Sequence, residues 1–210
     1  ERANMTPWHP HHIAERYGLF TIIVLGESIL ASTVAMQAAI VESGPLEELV
    51  LISVGGLVLI FGLWWTYFDR PAGEGLRASP ASAFRWGYGH LLVFASLGAV
   101  GAGIEVVAET VHHEVDLTDR AAALTVAVPV AVYLVTVGAL HTLVRRVPSE
   151  RPVVAFTVTG LLVLLAALAA PLLSLKVSIL LIALAVAGLV AYDLLTRASR
   201  AAHPAATESA

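Results

Sequence analysis

The chain has 210 residues, of which 58% are hydrophobic and 13% are charged. Soluble domains are typically about 45–50% apolar and 25% charged, so this composition excludes an ordinary soluble domain and indicates a membrane protein. The net charge of −4 indicates little because the charges are segregated along the chain, and the absence of cysteine excludes disulfides and thiolate metal sites.

Apolar runs of about 20 residues recur along the chain, and each is long enough to cross a bilayer as a helix. We therefore predict an all-α fold, a polytopic membrane bundle of about six transmembrane helices. The predicted spans are about Tyr17–Ala39, Leu49–Phe68, Phe84–Val107, Ala121–Leu143, Val153–Leu173 and Val177–Thr196. Residues 1–16 are expected to form a cytoplasmic juxtamembrane connector, residues 17–196 the transmembrane domain, and residues 197–210 a disordered cytoplasmic tail.

Basic residues are distributed unevenly between the two sides of the predicted bundle. With the N-terminus inside and six spans, ten of the twelve lysines and arginines fall on the cytoplasmic side, and only Arg120 and Lys176 fall outside. This positive-inside bias predicts that both ends of this chain are cytoplasmic. The tryptophans lie at or beside the cytoplasmic ends of the spans and are typical of an aromatic belt: Trp8, Trp64, Trp65 and Trp86.

Small residues recur every four positions in two of the spans. The third span carries Ala95, Ala99 and Gly103, and the sixth carries Ala183, Ala187 and Ala191. Small residues at this spacing let helix backbones approach closely, so we expect both stripes to be packing faces. The connection Ser174–Lys176 is so short that the fifth and sixth spans are predicted to form a tight antiparallel hairpin.

Glu27 is the only formally charged residue between Tyr17 and Ala39. At about 1.5 Å per helical residue it lies roughly 15 Å from Tyr17, near the middle of the hydrocarbon layer. A carboxylate at that depth costs about 2.5 kcal/mol or more on insertion scales. Glu27 is therefore either a hydrogen-bonded packing carboxyl or a proton or cation site, and we expect it to be neutral unless another helix supplies a cation.

A second group of ionisable side chains is predicted at one depth near the cytoplasmic end of the bundle. Its members are Glu15, Arg16, Asp69, His90, His141 and Asp193. One interpretation is snorkelling and salt bridging at the membrane interface. The other is the polar vestibule of a cavity that opens toward the cytoplasm.

The histidines near the start of the chain invite comparison with metal sites. His9, His11, His12 and Glu15 do not follow the His-Glu-Xaa-Xaa-His order of zinc hydrolases, so we expect a solvated connector with no bound metal. The sequence contains no phosphate-binding loop, dinucleotide glycine pattern or nucleophile turn, and nothing in it indicates nucleic-acid binding. We expect no cofactor, no catalytic residues and no enzymatic activity.

Three sequence blocks resemble one known family. The run from His12 to Glu27 closely resembles the signature of the bacterial low-temperature-requirement A protein family, and Trp64–Asp69 and Gly87–Leu91 resemble its second and third blocks. The resemblance implies a polytopic bacterial membrane protein that is usually longer, so this chain resembles the C-terminal part of one. Its motif positions are Glu15, Arg16, Glu27, Asp69 and His90, and the resemblance supplies no role for them.

These observations favour an integral protein of the bacterial inner membrane that works as a proton-linked transporter. In this hypothesis Glu27 titrates within the membrane, and Glu15, Arg16, Asp69 and His90 line its cytoplasmic side. One alternative is a structural or stress-adaptation membrane protein without a solute pathway, and a less favoured one is a metal-dependent membrane enzyme. The expected partners are the lipid bilayer and a small solute or proton, with a homo-oligomer or a missing N-terminal transmembrane segment as further alternatives.

Overall fold

The computed structural model describes residues 9–41, 46–70, 76, 80–111, 115–143 and 151–202. Within these ranges the chain is helical and contains no strand. The helices are α1 (Pro10–Val41), α2 (Leu46–Phe68), α3 (Pro80–Val111), α4 (Asp119–Leu143), α5 (Arg151–Leu168), α6 (Ala170–Leu173) and α7 (Leu175–Ala202). The predicted all-α bundle is confirmed, since five of the six predicted spans each fall on one of these helices and the fifth span falls on two.

Four helices in the described part of the chain are long and apolar enough to cross a membrane. They are Val50–Phe68, Ala83–Val111, Asp119–Leu143 and Leu175–Ser199, and Val153–Leu168 is a shorter apolar helix. The predicted first span lies inside α1, which is not among those four. The predicted fifth span is divided between α5 and α6, because Pro171 has no backbone N–H to continue the helix past Ala169.

The six long helices pack in a ring, in the order α1, α3, α4, α5, α7, α2 and back to α1. Across the ring, α2 also contacts α3, and α4 contacts α7. The hydroxyl of the fully buried Tyr133 in α4 also donates to the carbonyl of Leu63 in α2, at 2.7 Å. The direct packing of α5 on α7 agrees with the predicted hairpin.

Gly103 on α3 lies against the backbone of a neighbouring helix. A Cβ atom on Gly103 would lie 2.4 Å from the carbonyl oxygen of Thr125, so the backbones of α3 and α4 touch there. The predicted packing stripe is therefore correct at Gly103, and in α7 Ala183 is buried. Ala95 and Ala99 in α3 and Ala191 in α7 are exposed, so the prediction is wrong at these positions. A stripe at every fourth residue turns by about 40° per step around a helix of 3.6 residues per turn, so it leaves the contact face.

Two segments expected to be irregular are helical where the structure describes them. α1 begins at Pro10, inside the predicted connector, because proline is well tolerated at the first helical position. α7 continues past Thr196 to Ala202, and Arg197 stabilises this last part by pairing with Asp193 one turn earlier, at 2.6 Å. The rest of the connector and tail, residues 1–8 and 203–210, lies outside the described residues.

All but one of the arginines whose side chains the structure describes lie at one end of the ring. This Arg-rich end is formed by the first turns of α1 and α3 and the last turns of α2, α4 and α7, and it carries Arg16, Arg70, Arg85 and Arg197. Arg120 and Lys176 lie in the first turns of α4 and α7, at the opposite end. Successive long helices begin at opposite ends of the ring, as the predicted order of spans requires.

Candidate functional site

A cavity of about 290 Å³ lies at the Arg-rich end of the bundle. Four helices and the residues just after α2 form its wall, so the cavity depends on the assembled ring rather than on one segment. The wall residues are His11, Ala14, Glu15, Tyr67, Phe68, Arg70, Trp86, His90, Val137, Leu140 and His141. Apolar and titratable side chains therefore face the same space.

His90 is held in the cavity wall by two hydrogen bonds. Its Nδ1 lies 2.7 Å from the carbonyl oxygen of Trp86, and its Nε2 lies 2.8 Å from the hydroxyl of Tyr67. A carbonyl oxygen can only accept, so Nδ1 carries the hydrogen of the neutral imidazole. Nε2 is then the acceptor, and Tyr67 donates to it.

Aromatic rings surround the His90 imidazole on several sides. The ring centres of Trp86, Tyr17, Phe94 and Tyr67 lie 4.1, 4.7, 5.5 and 5.7 Å from it. His90 is only 1% exposed as a result. This cage fixes the orientation of the imidazole and leaves the Tyr67 hydroxyl as its polar neighbour toward the cavity.

A cluster of two aspartates and two arginines adjoins the cavity and ties the end of α2 to α7. We call Asp69, Arg70, Asp193 and Arg197 the α2–α7 cluster. Arg70 Nη2 lies 2.7 Å from Asp193 Oδ1 and Arg70 Nε 3.5 Å from Asp69 Oδ2, and Arg197 pairs with both aspartates. Burial raises the pKa of Asp69, the Asp193 carboxylate raises it further, and the Arg197 guanidinium opposes both effects. Arg70 belongs to the cluster and to the cavity wall.

The five predicted site residues do not all come together. Glu15 and His90 line the cavity, and Asp69 adjoins it through Arg70. Arg16 and Glu27 lie instead on the exposed outer face of α1. They share that face with Phe20, Ile23 and Leu30, as the helical spacing predicts.

The orientation of α1 in the ring explains why Glu27 lies outside the cavity. The buried face of α1 is formed by Gly18, Thr21, Leu25 and Ser28, whose spacing follows the turns of a helix. Ser28 Oγ lies 3.4 Å from the carbonyl oxygen of Leu97, which joins this face to α3. Glu27 is therefore directed away from the interior of the ring.

Only Glu15 and His90 of the wall were among the predicted site residues, and the wall residues that the prediction missed include Tyr67, Arg70 and Trp86. Trp86 was assigned to an aromatic belt, but it is 4% exposed and contacts His90, so that assignment is wrong for this tryptophan. Trp64 and Tyr88 are exposed near the Arg-rich end, as a belt requires. The i, i+4 spacing of Trp86 and His90 was a usable signal, since it places both on one face of a helix.

The histidines at the start of α1 lie close together. The ring of His9 lies 5.5 Å from that of His11 and 5.1 Å from that of His12, and His12 Nδ1 lies 3.2 Å from Glu15 Oε2. Among the residues that the structure describes, no group of three or more His, Cys, Asp or Glu side chains could hold a metal ion. The absence of bound metal stays a prediction.

A helical bundle with several membrane-length apolar helices and a polar cavity at one end defines a polytopic integral membrane protein. The family model for the bacterial low temperature requirement A protein (LtrA) matches residues 1–190, so the chain belongs to this family. The resemblance seen in the three sequence blocks is confirmed, and membership links the protein to growth at low temperature. No curated protein and no solved structure matches the chain.

Proposed function

We propose that this protein moves a small solute across the bacterial inner membrane in a proton-linked manner, with the cavity at the Arg-rich end as its binding site. The observation that carries the proposal is the hydrogen-bonded pair of Tyr67 and His90 in the cavity wall. Ionisable groups within membrane-spanning helices commonly mark substrate and proton pathways. The arginine distribution supports a cytoplasmic position for this end.

The pair offers a simple way to couple a proton to the shape of the site. Neutral His90 accepts from the Tyr67 hydroxyl at Nε2. A proton that arrives from the cavity binds Nε2 and makes it a donor, so Tyr67 must turn its hydroxyl hydrogen toward another acceptor. Because Tyr67 and His90 come from different helices, this reversal changes the contact between α2 and α3 at the cavity.

The position of the cavity favours His90 over Glu27 as the proton site. His90 lines the cavity, whereas Glu27 lies on the outer face of α1. Glu15, exposed in the cavity wall, supplies a carboxylate through which protons can enter from water. In this proposal Arg16 faces the membrane interface, and Asp69 positions Arg70.

The test compares two tyrosines that each lose one buried hydroxyl. Tyr67→Phe removes the hydroxyl that hydrogen-bonds His90 Nε2, whereas Tyr133→Phe removes a 2.7 Å hydrogen bond to the Leu63 carbonyl outside the cavity. Each variant is the sole copy of the full-length protein in cells grown in the cold, with its level measured by immunoblot. We expect Tyr67→Phe to accumulate normally and slow growth at least twofold, and Tyr133→Phe to support growth in proportion to its level.

Normal growth of cells with Tyr67→Phe at the parental protein level would reject proton handling by this pair. It would favour a structural or stress-adaptation role without a solute pathway.

A further inference from the structure

Arg70 has one donor group that the α2–α7 cluster does not satisfy. Its Nη2 and Nε face Asp193 and Asp69, but its Nη1 is buried and has no hydrogen-bond partner among the described residues. An arginine donor that is buried without a partner costs more than an ordinary unmade hydrogen bond. Arg70 is also part of the cavity wall, so an acceptor group that enters the cavity beside Arg70 and reaches its buried Nη1 would satisfy this donor.

The charges around the cavity decide which acceptor fits best. The two arginines and two aspartates of the α2–α7 cluster balance each other, so the cluster alone does not repel an anion. The carboxylate of Glu15 is on a side chain that is 68% exposed, and it faces His12. Water therefore screens it. A carboxylate is the preferred acceptor for Arg70, because hydrogen bonds between ionised partners are shorter and stronger than neutral ones.

The rest of the wall favours a small ligand with an apolar body. Phe68, Trp86, Val137 and Leu140 supply apolar surface around the same space. The volume of about 290 Å³ is at the lower end of ligand-site volumes, which run from about 300 to 1,000 Å³. Neither feature suits a large or fully hydrophilic solute.

We infer that the cavity binds a small monocarboxylate with an apolar body, with its carboxylate on the Arg70 guanidinium and its body against Phe68, Trp86, Val137 and Leu140. The inference rests on the proposed function, since it names the class of solute that this site would take. The carboxylate would accept from Arg70 beside the Tyr67–His90 pair, which places anion and proton binding in one cavity.

The experiment measures equilibrium binding of radiolabelled benzoate to the purified protein in a neutral detergent. Benzyl alcohol is the competitor that keeps the ring and lacks the charge. We expect saturable binding at one benzoate per chain and little competition by benzyl alcohol. Equal competition by the two compounds would overturn the inference, and so would stronger competition by laurate than by unlabelled benzoate, which would indicate a site for a lipid chain.

Two arginines of the same cluster provide the matched variants. Arg70→Gln removes the guanidinium in the wall and should weaken benzoate binding at least tenfold. Arg197→Gln removes the other guanidinium of the cluster, which is outside the cavity wall, and should change binding less than twofold. Parental binding by Arg70→Gln, or an equal loss in both variants, would contradict a carboxylate site on Arg70.

A second variant keeps the test valid if Arg70→Gln does not fold. Val137→Phe adds volume to the cavity wall without touching the α2–α7 cluster, and it should also abolish benzoate binding. A Val137→Phe protein that binds benzoate as the parent does would overturn the inference. Failure of benzoate binding together with a cold-growth defect in Tyr67→Phe would reject the monocarboxylate and leave the proposed proton-linked function standing.

Discussion

Glu27 and His90 are both ionisable groups in apolar helices, but their surroundings differ. His90 has two hydrogen bonds and a cage of rings, so its chemistry is set by the protein. Glu27 lies on the exposed face of α1 between Ile23 and Leu30, so its chemistry is set by whatever covers that face. A carboxyl facing lipid has to be neutral or meet a partner outside this bundle.

Substitutions at Glu27 test this distinction. Glu27→Gln keeps the size of the side chain and removes no interior packing, so the level of folded protein should equal that of the parent. Glu27→Lys places a cation on an apolar outer face and should reduce the level, since lysine at mid-depth costs about 2.5–3.5 kcal/mol on insertion scales. Immunoblots of membrane fractions measure both.

Growth in the cold is the control for a functional role of Glu27. Because Glu27 lies outside the cavity, cells with Glu27→Gln should grow like the parent. Slow growth of these cells at a normal protein level would restore Glu27 as the proton site.

The face of α1 that points inward could not be predicted from its sequence. Helical spacing puts Arg16 and Glu27 on one face of α1, but both faces of this helix carry large apolar residues. Leu25 is buried, whereas Ile23 is 64% exposed. Lipid tails and a protein interior favour the same side chains, so the hydrophobic pattern of a membrane helix does not indicate its direction.

At the scale of whole helices, close packing depends on where glycine meets a backbone. Gly103 faces the backbone of α4 so closely that a Cβ would lie 2.4 Å from a carbonyl oxygen, whereas a Cβ on Gly98 would meet nothing within 4 Å. Both glycines are in α3, and Gly98 is on its exposed face. They form a matched pair for measuring what this contact contributes.

We expect Gly103→Ala to destabilise the bundle by about 1–3 kcal/mol, because the added methyl must displace backbone atoms of α4. Gly98→Ala should leave stability unchanged or raise it slightly, since alanine favours helix over glycine. Thermal unfolding of both purified variants in one detergent provides the measurement. An equal loss in the two variants would show that α3 responds to lost helix flexibility rather than to contact with α4.

At the scale of the molecule, the helices were predictable and their arrangement was not. Apolar length located all six long helices, with ends that differ by up to seven residues, because a bilayer sets how long a span must be. The ring order depends on which small residues match which neighbours, as Gly103 and Thr125 do. The cavity was predictable in part, since His90 and Glu15 were placed at one depth, whereas the role of Arg70 required knowing that α2 ends beside α7.

The arrangement makes a direct prediction about how the protein lies in the membrane. Asp116 and Glu47 are exposed at one end of the ring, and Ser199 is exposed at the Arg-rich end. The end richer in arginine should face the cytoplasm, because translocating basic residues is disfavoured. Single cysteines in this cysteine-free chain can report each position without a background signal.

In intact cells whose outer membrane has been made permeable, a maleimide that cannot cross the inner membrane should label cysteines placed at Glu47 and Asp116. It should label a cysteine at Ser199 only after the cells are broken. The reverse pattern would show that the Arg-rich end and its cavity face outward, so that the solute would be taken from outside. Labelling at Asp116 and Ser199 from the same side would show that α4, α5 and α7 do not alternate across the membrane as their packing indicates.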